Sequence, residues 1–64
     1  SDAGVGATLL KSAMQGASLN VYINTKSMKD RKRAEELNQL ADSLREEYEA
    51  KADRIFAEVS SRIR

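Results

Sequence analysis

The sequence predicts an all-α fold, and three observations carry that expectation. From Asp30 to Arg64 run 35 residues with neither Gly nor Pro. Across them apolar residues recur at helical spacing, and an Ala-, Gly- and Ser-rich stretch near the N-terminus repeats that spacing more weakly. The expected architecture is a short N-terminal helical segment over 1–17, an extended connector over 18–27, and a long amphipathic helix over 28–64 that forms a helical hairpin or bundle.

In the first segment, Ser1 and Asp2 can cap a helix along which Ala7, Leu10, Ala13 or Met14, and Ala17 recur at helical spacing. Gly4 and Gly6 weaken its start. Gly16 is a natural terminator, because only Gly adopts the left-handed cap conformation without steric cost. The reading is therefore a helix from Ala7 to Gln15, frayed before Gly6. Ser12 with Gly16, and Ala13 with Ala17, place small residues four apart, which would let another helix come close.

From Ser18 the pattern changes to period two: Leu19, Val21, Ile23 and Thr25 alternate with Asn20, Tyr22 and Asn24. β-Branched and aromatic enrichment makes this a strand candidate. A lone strand must pair with a partner, so an extended connector whose state the partner decides is the alternative. Asn24 to Ser27 looks like a junction, with Ser27 or Asp30 capping a helix that starts near Met28.

In the long helix, Leu37, Ala41, Leu44, Tyr48, Ala52, Ile55, Val59 and Ile63 follow one another at steps of three or four and share one stripe, widened by Leu40 and Phe56. These ten residues are the expected interface. Their pattern repeats every eleven residues, which implies packing with little supercoil. Arg45, Glu46, Glu49, Asp53 and Arg62 fall on other faces and should be solvated. Tyr48, an aromatic among aliphatics, should sit near an interface edge where its hydroxyl finds a polar partner. Opposite charges stand four apart at Arg31/Glu35, Lys32/Glu36, Arg45/Glu49, Glu47/Lys51, Arg54/Glu58 and Glu58/Arg62, each pair adding about 0.2 to 0.5 kcal/mol. A helix of this length would run about 50 Å, longer than any core 64 residues can close around themselves, so a partner is implied.

Lys26, Lys29, Arg31, Lys32 and Arg33 gather positive charge around Asp30. Arg31 to Arg33 sit at the unfavourable positive end of the helix dipole, which points to another use for them. Contact with phosphates or another anion is one use, and pairing with Glu35 and Glu36 one turn on is the plainer one. A strand followed by a basic helix also resembles the ribbon-helix-helix repressors, which would turn Asn20, Tyr22 and Asn24 toward DNA. Leu37 to Arg64, however, offers no breaker for the second turn those proteins need.

Composition removes most chemistry. With no Cys and no His, the chain lacks a thiolate, a disulfide and the commonest general base and metal ligand. Neighbouring carboxylates such as Glu35/Glu36 and Glu46/Glu47 point to different faces and cannot act as an acid and base pair. Gly4-Val5-Gly6 lacks the further residues of a phosphate loop. No catalytic, cofactor or metal residue is expected, nor a small-molecule substrate. Eleven basic residues against ten acids, a formal charge of +1, argue against coating nucleic acid by bulk charge. No secretory signal or uninterrupted membrane span is visible.

The expected function is that of a non-enzymatic helical assembly or adaptor subunit, which self-associates or docks on a larger protein complex such as a secretion or virion-like machine. Two alternatives stand beside it: the dimeric DNA-binding protein just described, and a membrane-surface peptide using Leu9, Leu10, Met14 and Leu19.

Overall fold

A computed structural model describes residues 1–64 as two helices, α1 (Asp2–Lys26) and α2 (Arg31–Ile63), joined by a tight turn. They run antiparallel as a helical hairpin with Cα extents of 51 × 14 × 11 Å. The all-α hairpin matches the sequence; its first arm is longer than expected.

α1 starts at Asp2, where the Ser1 hydroxyl accepts from the Gly4 amide at 3.3 Å, so the residues before Gly6 are helical rather than frayed. Gly16 does not terminate it. No residue has a positive φ, and the helix passes through the connector and strand candidate to Lys26. The reason lies across the hairpin. Ser18, Val21, Tyr22 and Thr25 fall on the side of α1 that meets α2, and Ser18 and Thr25 are buried. The helical preference lost at β-branched positions is only a few tenths of a kcal/mol each, which packing overrides. With no strand present, the ribbon of the DNA-binding alternative does not exist, and Asn20, Tyr22 and Asn24 are helical residues.

The turn contains no Gly. Ser27 ends α1 in a right-handed conformation, and Met28 N–H donates to Thr25 O at 3.1 Å. Arg31 then reaches back: its Nη1 donates to the carbonyls of Thr25 at 2.8 Å, Lys26 at 3.2 Å and Met28 at 2.9 Å. A cation on the carbonyl end of α1 satisfies groups that a glycine cap would otherwise serve. Asp30, not Ser27, caps α2 by accepting from Arg33 N–H at 3.0 Å, so that helix begins at Arg31 instead of Met28.

Small side chains form the seam. Ala7 and Ser18 of α1, with Thr25 near the turn, are buried with Ala34, Ala41 and Ala52 of α2. At the open end a Cβ built on Gly4 would stand 3.2 Å from Val59 Cγ1, tighter than an ordinary contact. Seam positions recur every seven residues: Gly4, Lys11, Ser18 and Thr25 on α1, then Ala34, Ala41 and Tyr48, or Asn38, Arg45, Ala52 and Val59, on α2. Two spacings therefore coexist in the contact: Ala34 and Ala41 stand seven apart, whereas the buried Ala41 and Ala52, and the half-buried Leu37, Tyr48 and Val59, keep the expected eleven. Ala34 was not part of the expected stripe.

Enlarging the seam should force the helices apart. Ala41→Leu or Ala52→Leu is expected to cost about 1 to 3 kcal/mol, read as a lower midpoint in thermal circular dichroism. Ala50→Leu, on an exposed position, should leave that midpoint nearly unchanged; equal effects at all three would refute the seam.

Candidate functional site

The two broad sides of the hairpin differ in chemistry. One carries a ladder of polar contacts between the helices. Thr25 Oγ1 donates to Asn38 Oδ1 at 2.6 Å, the Tyr22 hydroxyl donates to Asp42, Gln15 Nε2 donates to Glu49 Oε2 at 2.9 Å, and Lys11 Nζ reaches Asp53 Oδ1 at 2.9 Å. Arg45 ties the middle rungs together, 2.7 Å from Glu49 and 3.9 Å from Asp42. Of the residues expected to be solvated, Arg45 and Glu49 are half-buried in this ladder, whereas Asp53 is exposed and joins it through Lys11. The signal was present in the spacing of Lys11, Gln15 and Tyr22, which place polar atoms along one edge of α1 once the helix is known to continue.

Charge states follow from these contacts. The Asp53 hydrogen bond, and then its charge, hold the Lys11 ammonium above its ordinary value. The Tyr22 hydroxyl, and after it Glu49, hold the Arg45 guanidinium up. Glu49 is pulled below the usual carboxylate range, first by Gln15 and then by Arg45. Every buried side-chain polar atom has a partner. No cluster of three or more acidic, His or Cys side chains could hold a metal ion.

The other broad side is apolar. Helical geometry brings Leu10, Met14 and Val21 of α1 to the same side as Leu37, Leu44, Tyr48 and Ile55 of α2. Met14, Val21, Leu37 and Tyr48 are partly buried, while Leu10, Leu44 and Ile55 remain exposed. Tyr48 carries Lys51 Nζ over its ring at 5.1 Å. Of the expected interface, then, Ala41 and Ala52 are buried in the hairpin and Leu37, Tyr48 and Val59 are half-buried against it. Leu40, Leu44, Ile55, Phe56 and Ile63 are left exposed.

Between the free ends of the helices lies an open hollow of about 230 Å³ lined by Val5, Thr8, Phe56, Val59 and Ile63 among others. A second, of about 270 Å³, sits beside it against Lys11 and Asp53. Ser1 and Ser60 bring hydroxyls to the rim of the first.

The basic cluster divides. Arg31 is spent on the α1 cap, and Arg33 pairs with Glu36 at 3.4 Å. Lys26, Lys29 and Lys32 stay exposed and without ion pairs. Of the expected helical pairs, Arg45/Glu49, Glu47/Lys51 and Glu58/Arg62 form. The four residues of the membrane-surface alternative split between opposite sides of α1, Leu9 and Leu19 on the outer side and Leu10 and Met14 on the leucine side. No helix is long and apolar enough to cross a membrane.

Residues 1–43, two thirds of the chain, match the family model described as formiminotransferase-cyclodeaminase. The chain belongs to the formiminotransferase-cyclodeaminase family. The match takes in α1, the turn with its Arg31 cap, and α2 as far as Ser43. No curated protein and no solved structure matches the chain. The family is named for an enzyme. Arg45, Glu49 and Asp53 lie beyond the matched residues, as does most of the expected interface.

Glu49 gives the ladder a pH dependence. Its carboxyl is lower in the folded than in the unfolded chain, so its stabilisation is complete above the ordinary value of 4.5 and is lost as pH falls below it. Thermal midpoints measured between neutral pH and that of weak acid should drop through this window. Glu49→Gln should lower the neutral midpoint and flatten the profile.

Proposed function

We propose that the hairpin serves a formiminotransferase-cyclodeaminase-type enzyme as a docking element, joining other helices of the assembly through its leucine side and carrying no chemistry itself. The observation that supports this most directly is the asymmetry of the two sides. Polar groups on one side are mutually paired, while Leu10, Leu40, Leu44 and Ile55 on the other are left facing outward. Contiguous apolar surface of this kind is typical of protein interfaces. A two-helix layer has no interior of its own, so a second layer against the leucine side would supply the missing core.

The family's name does bring an enzyme reading with it. Against this chain's performing the reaction stand the lack of His and Cys and the mutual saturation of Lys11, Tyr22, Arg45, Glu49 and Asp53. An adaptor role in an enzyme is consistent with both sets of observations.

Sedimentation equilibrium with circular dichroism on the 64-residue chain tests the reading. Leu44→Asp or Ile55→Asp is expected to weaken assembly by about 3 kcal/mol, roughly a hundredfold, because each would bury an unpaired charge. An average mass that neither substitution lowers would sink it. Cyclodeaminase turnover by the chain alone would equally remove the non-catalytic role.

A further inference from the structure

The side of α1 away from the seam carries a second apolar strip that the leucine side does not include, its first member Val5 also bordering the hollow between the free ends. Val5, Leu9, Leu19 and Ile23 are each at least 60% exposed there. With Asp2, Ser12, Gly16 and Lys26 they form one series: Asp2, Val5, Leu9, Ser12, Gly16, Leu19, Ile23, Lys26, spaced three, four, three, four, three, four, three. That is the spacing of a seam between two helices.

The series is also symmetric about its midpoint at the level of Met14. Read inward from both ends, acid stands opposite base (Asp2 and Lys26), branched aliphatic opposite branched aliphatic (Val5 and Ile23), Leu opposite Leu (Leu9 and Leu19) and small opposite small (Ser12 and Gly16). A two-fold axis at that midpoint would bring each member of a pair against its counterpart in another copy, the arrangement an isologous contact requires. Antiparallel packing puts unlike charges together at both ends. Parallel packing would set Asp2 against Asp2 and Lys26 against Lys26.

Gly16 supplies a separate observation. A Cβ there would meet nothing within 4 Å, and no positive φ calls for glycine. Glycine inside a helix is less favourable than alanine, and the hairpin gains nothing from it. Close approach of another helix at the centre of the strip gives that glycine a use.

We propose that the outer side of α1 is the docking surface for a second copy of this chain, packed antiparallel about a two-fold axis at the level of Met14, with Asp2 meeting Lys26 of the other copy. This surface is distinct from the leucine side, so the two fail separately. The contact should appear in sedimentation equilibrium of the whole chain as a dimer. Gly16→Leu, which meets no obstacle within the hairpin, should raise the dissociation constant about tenfold or more while helicity is kept. Lys26→Asp should weaken the dimer, and adding Asp2→Lys should restore it.

Orientation is read by cysteine cross-linking, since the chain has no native cysteine. A mixture of Leu9→Cys and Leu19→Cys chains should oxidise to mixed dimers, and either variant alone should not. A chain that stays monomeric overturns the proposal and assigns the strip to a different protein. Leu9→Cys cross-linking to itself overturns the antiparallel arrangement. A dimer indifferent to Gly16→Leu but lost in Leu44→Asp would place self-association on the leucine side instead.

Discussion

Close approach of two helices is possible only where side chains leave room for it, and here Ala7, Ser18 and Thr25 are buried with Ala34, Ala41 and Ala52 while Gly4 stands against Val59. Everything else in the hairpin follows from that spacing. Because the axes lie near one another, short polar side chains such as Thr25 and Asn38 can touch directly across the edge. For the same reason the large apolar residues do not fit between the helices, and Leu10, Leu40, Leu44, Ile55 and Phe56 are turned outward. A seam of leucines would have hidden those side chains and held the helices too far apart for the polar contacts.

The long second helix was legible in the sequence, because uninterrupted helix formers and regular apolar spacing both point the same way over 35 residues. Its pairing was less so. Large residues dominate the pattern, and Ala34, seven before Ala41 and outside the eleven-residue rhythm of Leu37, Tyr48 and Val59, carries no apolar bulk that would mark it as part of the contact. The connector was misread for a different reason. Alternating Leu19, Val21, Ile23 and Thr25 carry a true strand-like local signal, but local preference amounts to tenths of a kcal/mol, and Thr25 and Tyr22 find partners on α2 only if the helix continues. Arg31 was noticed as misplaced at the start of α2 without its use being seen. Its target belongs to the other helix, and no local pattern encodes that.

Family membership changes the setting of these observations without supplying a reactive group. The matched residues take in the glycine- and alanine-rich first helix and the turn. The remainder of α2 adds the middle and outer rungs of the polar ladder. A two-helix layer whose buried polar groups are satisfied and whose apolar sides are open is suited to being one layer among several.

The polar ladder has a consequence for how the hairpin finds its alignment. Alanine against alanine is nearly the same contact after one helix slides along the other by two turns, so the seam by itself tolerates several alignments. Lys11 with Asp53, Gln15 with Glu49, Tyr22 with Asp42 and Thr25 with Asn38 do not tolerate it. Any slip breaks all four at once and sets some of these groups against apolar neighbours. The ladder therefore works as a vernier: it adds little to the attraction between the helices, and it selects one alignment from a set that packing alone would leave almost degenerate.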